Sequence, residues 1–105
     1  MGALYYDGEE FELDDRILTH LQIVISSKLR RGESFSFGWA KSVEIGSGRT
    51  TIWMHPAVPL VYEYHGNRPP TINQAWLEKL MQTANSGTGL QLVDEPTPVT
   101  ADAAN

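Results

Sequence analysis

The sequence predicts an α+β fold of two layers, a mainly antiparallel sheet with two helices on one face, and three patterns carry that prediction. Ile17, Leu18, Leu21, Val24, Ile25 and Leu29 recur at three- and four-residue spacing, which lines up one buried stripe on a helix. Phe35, Phe37 and Trp39 alternate with Ser34, Ser36 and Gly38, so the next strand has one aromatic face and one nearly bare face. Trp76, Leu77, Leu80, Met81 and Ala84 mark a second helical stripe. Elements that are apolar on one side only must bury that side against each other, and the layered arrangement follows.

Taken in order, residues 3–6 and 10–13 read as strands joined at Asp7-Gly8, a dipeptide suited to a tight hairpin. Asp14 or Asp15 caps the first helix. Lys28, Arg30 and Arg31 fill its last turn, where the helix dipole favours cations, and Gly32 takes the left-handed position after it. The aromatic strand leads into a loop over residues 40–48, closed by Gly46-Ser47-Gly48, and residues 49–55 form the next strand. Pro56 and Pro59 bracket a turn before a strand at 60–64, which completes a three-stranded antiparallel meander. Residues 66–70 break the pattern, and Thr71 with Gln74 has capping-box spacing for the second helix, ended by Gly87 or Gly89. Residues 90–93 have room for a short closing edge strand, giving the order β-β-α-β-β-β-α with one optional final strand. Residues 1–93 therefore make a single domain, and 94–105, DEPTPVTADAAN, read as a disordered acidic tail.

Composition narrows the chemistry. With 105 residues, 41% hydrophobic and 20% charged, the chain is of ordinary globular make-up and of a size for one core. It has no cysteine, which removes disulfides, thiolate metal sites and cysteine nucleophiles and is compatible with the cytoplasm. The most apolar stretch, 17–25, is interrupted by Thr19, His20 and Gln22 and falls short of the roughly 20 residues a membrane span needs. The N-terminus lacks the basic-then-apolar pattern of a signal peptide. The net charge of −5 is unevenly spread: residues 1–15 hold six acids and no base, whereas 28–49 hold five bases against Glu33 and Glu44. That basic segment suits a solvated helix end and, as the alternative, a contact to nucleic acid.

Catalytic signatures are missing. Gly46 to Thr51 has the look of a phosphate-binding loop, but it enters a strand and lacks the lysine that grips phosphate at a helix start. No serine sits in a Gly-x-Ser-x-Gly setting. Asp14 and Asp15 are accounted for by the helix N-terminus. His20 is read as a boundary residue of the first helix, while His55 and His65, at successive strand ends near Glu63, match no known metal-ligand spacing. No catalytic residue, metal or cofactor is assigned. The aromatics and cations left over are the binding candidates: Lys28, Arg30, Arg31, Arg49, Trp53, His55 and Tyr62, on an open sheet face and the adjoining helix end.

MGALYY, HLQIVISSKLRRGESFSF, GSGRTTIWMHPAVPL and RPPTINQAWLEKLMQTANSGTGLQL together resemble a family of short actinobacterial proteins of uncharacterised function, over nearly the whole chain. Its members often carry the automatic name ATP-dependent DNA ligase, so the resemblance implies a ligase connection. Ligase catalysis needs a lysine in a Lys-x-Asp-Gly setting. Lys28, Lys41 and Lys79 are not followed by x-Asp-Gly, and Asp7-Gly8 is preceded by Tyr5-Tyr6. The order helix, meander, helix also resembles the double-stranded-RNA-binding fold. GSGRTTIWMHP loosely resembles the histidine-bearing strand of HicA-type interferases, with Gly48 where the histidine would stand. The reading is a noncatalytic interaction module that binds a protein partner or itself, with a nucleic-acid accessory protein as the alternative and no membrane role.

Overall fold

The computed structural model describes residues 2–40 and 48–97. Strands β1 (Gly2–Tyr6) and β2 (Glu9–Leu13) form the expected hairpin, with Tyr6 opposite Glu9. Asp7 and Gly8 turn it with φ of 53° and 83°, the pair of positive angles that a type I′ turn requires. Helix α1 (Asp15–Arg30) is capped by Asp14, whose side chain accepts the Arg16 N–H. Its buried side carries Leu18, Leu21, Val24 and Ile25, each at most 1% exposed. At its other end the Gly32 N–H donates to the Leu29 carbonyl at 2.9 Å and the Glu33 N–H to the Lys28 carbonyl at 3.1 Å, a Schellman closure made possible by φ of 77° at Gly32.

The aromatic strand is β3 (Phe35–Ala40), followed by β4 (Arg49–Met54) and β5 (Leu60–Glu63). Most of the loop between β3 and β4, including Gly46 and Ser47, lies outside the described residues. Helix α2 (Gln74–Ala84) and the short β6 (Leu90–Gln91) complete an α+β globule in the predicted order, the optional last strand included. Phe35 and Phe37 are buried as expected, and Trp39, half-buried, is packed between Phe37 and an edge-on Phe11. Gly89, with φ of 84°, lets β6 approach β3, since a Cβ there would stand 2.5 Å from the Ser36 carbonyl oxygen.

Two sequence expectations need correction. The β3-β4-β5 meander does not form: the strands divide into two sheets, ordered β2-β1-β5 and β4-β3-β6, and β5 lies antiparallel against β1 with Leu4 opposite Tyr62. The reason is visible at the end of β4. There the Tyr6 hydroxyl donates to the Trp53 carbonyl at 2.5 Å and accepts the His55 N–H at 3.0 Å, occupying the edge a third meander strand would need. The chain then turns through His55-Pro56-Ala57-Val58, with the Ala57 N–H donating to the His55 ring and the Val58 N–H to the His55 carbonyl, and Pro56 and Pro59 supply no ladder donor. The second correction concerns α2, which is capped by Asn73 and not by Thr71. Asn73 accepts the Trp76 N–H on its side chain while its own N–H is held by His20, so the helix starts after the Thr71-Gln74 pairing could act. Its end comes at Asn85, ahead of both candidate glycines.

β1 packs under α1, α2 covers β6 and β3, and the two helices touch, so one core joins both sheets. Tyr6, only 8% exposed, is the polar stitch between them. Tyr6→Phe leaves the part-buried Trp53 carbonyl and His55 N–H without their partner, and it is expected to lower unfolding stability by about 0.5 to 1.5 kcal/mol in urea melts. A melt indistinguishable from wild type would remove the stitch from the account.

Candidate functional site

Alternation along β4 sends Met54 and the half-buried Ile52 inward and leaves Arg49, Thr51 and Trp53 on the outer face, all exposed. Trp53 is 59% exposed. The reason lies in its neighbours: the register sets Trp53 opposite Ser36 and Thr51 opposite Gly38, with Gln91 on the far side of Gly38. Small side chains leave the indole nothing to lean on. Even Gly38 has little room, since a Cβ there would come within 3.1 Å of the Thr51 hydroxyl. The result is a flat patch with one large aromatic and one guanidinium, and no carboxylate on either β3 or β4.

The other binding candidates fall elsewhere. Lys28 is a core residue whose ammonium donates to Glu33 at 2.9 Å and to Asn85 at 3.0 Å and stands 5.7 Å from the Phe35 ring centre. Arg31 meets the other Glu33 oxygen at 3.4 Å, while Arg30 is exposed in the last helical turn. The hydrogen bond from Lys28, aided by the Arg31 charge, holds Glu33 below the usual carboxylate range. His55 is exposed just past β4, its ring nitrogen committed to the following turn. Tyr62 points inward, opposite Leu4, and its buried hydroxyl has no hydrogen-bond partner among the described residues. Burial pushes its pKa up to about 12. Of the seven candidates, then, Arg49 and Trp53 share one face.

A polar network that the sequence does not signal ties both helices to the end of the domain. Arg16 forks onto Glu95, with Nε to Oε1 at 2.8 Å, and its third donor reaches the Thr71 carbonyl at 2.8 Å. The Asn73 amide donates to Glu95 at 2.9 Å and to the Pro96 carbonyl at 3.1 Å. His20, fully buried, donates from Nδ1 to the Arg16 carbonyl at 2.8 Å and accepts the Asn73 N–H on Nε2 at 2.9 Å, so both ring nitrogens are structural. Trp76 lies against that imidazole, 4.5 Å between ring centres, and donates to the Val93 carbonyl at 2.9 Å. Glu95 falls within the stretch read as tail, and its contacts carry the folded chain to Pro96, while residues 98–105 lie outside the described residues. Asp15, beyond its place in the first turn, accepts the His65 and Gly66 N–H groups at 3.0 and 2.9 Å, which lowers its pKa.

Three shallow clefts flank these elements. One of about 230 Å³ lies between α1 and the segment with Tyr64, Arg68, Pro69 and Pro70; one of about 340 Å³ runs between Arg16, Trp76 and Glu95. The third, about 280 Å³, is acidic, with Glu10, Glu12 and Glu63 around Ala3. Tyr5 is on the same side, and its bond to Glu63, with the Glu10 charge nearby, pushes its pKa up to about 12. His55 and His65 are at opposite ends of β5, and no trio of His, Asp or Glu fit for a metal occurs among the described residues. No described helix is long and apolar enough to cross a membrane.

What these features define is a small α+β domain whose unusual surface is a bare sheet face. The chain belongs to a family, the domain of unknown function DUF7882, whose profile matches residues 1–95. No curated protein and no solved structure matches it.

Glu95 provides a test of the network through pH. The Arg16 and Asn73 hydrogen bonds bring its pKa from an ordinary 4.5 to about 2. A carboxylate depressed on folding stabilises fully above its unfolded pKa, so this contribution is complete above about pH 4.5 and is lost as pH falls toward 2. Urea melts across that interval should show Glu95→Gln less stable than wild type at neutral pH, the gap narrowing in acid. A gap that stays constant with pH would show that Glu95 acts without its charge.

Proposed function

We propose that this DUF7882 domain is a noncatalytic interaction module that takes a protein partner, or another copy of itself, on the outer face of β4 around Trp53 and Arg49. The observation behind the reading is Trp53, 59% exposed on a face of Ser36, Gly38 and Thr51. Tryptophan and arginine are the residues that dominate protein interfaces, and a bare surround lets a partner close over both. Arg30 and His55 stand as peripheral contacts in this reading.

The nucleic-acid alternative draws less support, because Glu33 engages two of its four candidate cations, Lys28 and Arg31, which leaves Arg30 and Arg49 as the candidates among the described residues. Kinship with short actinobacterial proteins and their ligase name enters as resemblance; with no Lys-x-Asp-Gly, it favours an accessory role over catalysis. The cysteine-free composition is compatible with a cytoplasmic setting.

Trp53→Glu tests the face. As an exposed substitution it should move stability by no more than about 0.5 kcal/mol. Light scattering after size exclusion, together with affinity capture, should show wild type associating and Trp53→Glu failing to do so. Wild type that is monomeric and captures nothing would sink the proposal. Binding to DNA or RNA at low salt that weakens steeply as salt rises would transfer the function to the nucleic-acid reading.

A further inference from the structure

We propose that a second copy of the chain pairs with β4 edge to edge, antiparallel and centred on Thr51, so that the two outer faces join across the seam. The inference rests on the reading of β4 as an interface and adds the partner and its register. Among the described residues β4 is the outermost strand of its sheet. Because Tyr6 takes the Trp53 carbonyl and the His55 N–H from the side away from β3, those groups point to the open edge. Backbone groups of alternate residues point the same way in an extended strand, so Arg49 and Thr51 present theirs at that edge as well. These are also the residues whose side chains form the exposed face.

A two-fold axis through Thr51 sets Thr51 against Thr51 of the second copy and Arg49 against its Trp53. The pairing is reciprocal, as an isologous interface requires. It places each guanidinium across from an indole on the solvent side, the geometry of a cation–π contact. Other registers lose this match: centring on Arg49 opposes two guanidinium groups, and centring on Trp53 runs the second strand into Tyr6. Because Tyr6 already holds the Trp53 carbonyl, the backbone pairing is carried by the mutual bonds of the two Thr51 residues and by each Trp53 N–H donating to the opposite Arg49 carbonyl. Charge agrees with the choice of seam. The chain carries −5, yet β3 and β4 contain no carboxylate, while Glu9, Glu10, Glu12 and Glu63 all lie on the other sheet.

The chain contains no cysteine, so single-cysteine variants give a clean readout. Directly opposed residues whose backbones exchange hydrogen bonds have Cα atoms about 5.5 Å apart, inside the roughly 4.4 to 6.8 Å a disulfide spans. Sedimentation of the full chain should give a concentration-dependent dimer. Under mild oxidation Thr51→Cys should form covalent dimers about tenfold or more faster than Val61→Cys, an exposed position on the other sheet, because pairing raises the local thiol concentration. Thr51→Pro deletes an edge N–H that no ladder bond inside the sheet uses, and it should sediment as a folded monomer. Trp53→Arg, which opposes two guanidinium groups, should also be monomeric, and adding Arg49→Trp should restore the dimer by exchanging the pair.

Wild type that stays monomeric at every concentration overturns the proposal, as does a dimer that survives Thr51→Pro or cross-links no faster through Thr51→Cys than through Val61→Cys. If wild type is monomeric but captures a different protein in a Trp53-dependent way, the second copy is excluded while the β4 face stands. Loss of both behaviours removes the two readings together.

Discussion

The Tyr6 hydroxyl decides how this chain is arranged. A hydroxyl can donate once and still accept, and Tyr6 uses both capacities, on the Trp53 carbonyl of β4 and on the His55 N–H just past that strand, which belongs to the other sheet. Those groups would otherwise be the next rungs of a ladder. With them satisfied, β5 is free to run beside β1, and the six strands of the described residues form two three-stranded sheets that share one core. The limited edge of β4 follows from that one contact.

Local features were legible in the sequence because their causes are local. The Asp7-Gly8 hairpin, the cap at Asp14, the closure at Gly32 and the inward aromatics of β3 each depend on a few neighbouring residues, and each occurs as expected. Strand pairing was not legible. Alternation separates the two sides of residues 60–63 but does not say which strand lies alongside, and it is Leu4, from β1, that draws Tyr62 inward. The cap of α2 shows a different failure: Thr71 and Gln74 have the right spacing, but His20 fixes the backbone of Asn73 from another helix. The partner of Glu95 is 79 residues away, and no window of sequence could have shown it.

The candidate site was legible by half. Arg49 and Trp53 share the strand period that places them together, and that period was visible. Lys28 shares the charge of Arg49, but its position on the helix directs it to Phe35, where Glu33 and Asn85 meet the ammonium. Net charge along a segment reports how many cations there are, not how many remain for a partner. The acidic residues show the converse, gathering on the sheet that does not carry Trp53.

The pairing of β1 with β5 has a temporal consequence. Ala3 must find Glu63, across most of the domain, whereas the hairpin to β2 and the turns of α1 close over short distances. Contacts so far apart in the chain are slow to form, because loop closure has to be met before they contribute. During synthesis the first hairpin and helix can assemble while the second edge of β1 still lacks its neighbour, so a nascent chain passes through an interval with Leu4 and Tyr6 uncovered. Docking of residues 60–63 is what completes the pairing of β1, so it falls late in assembly.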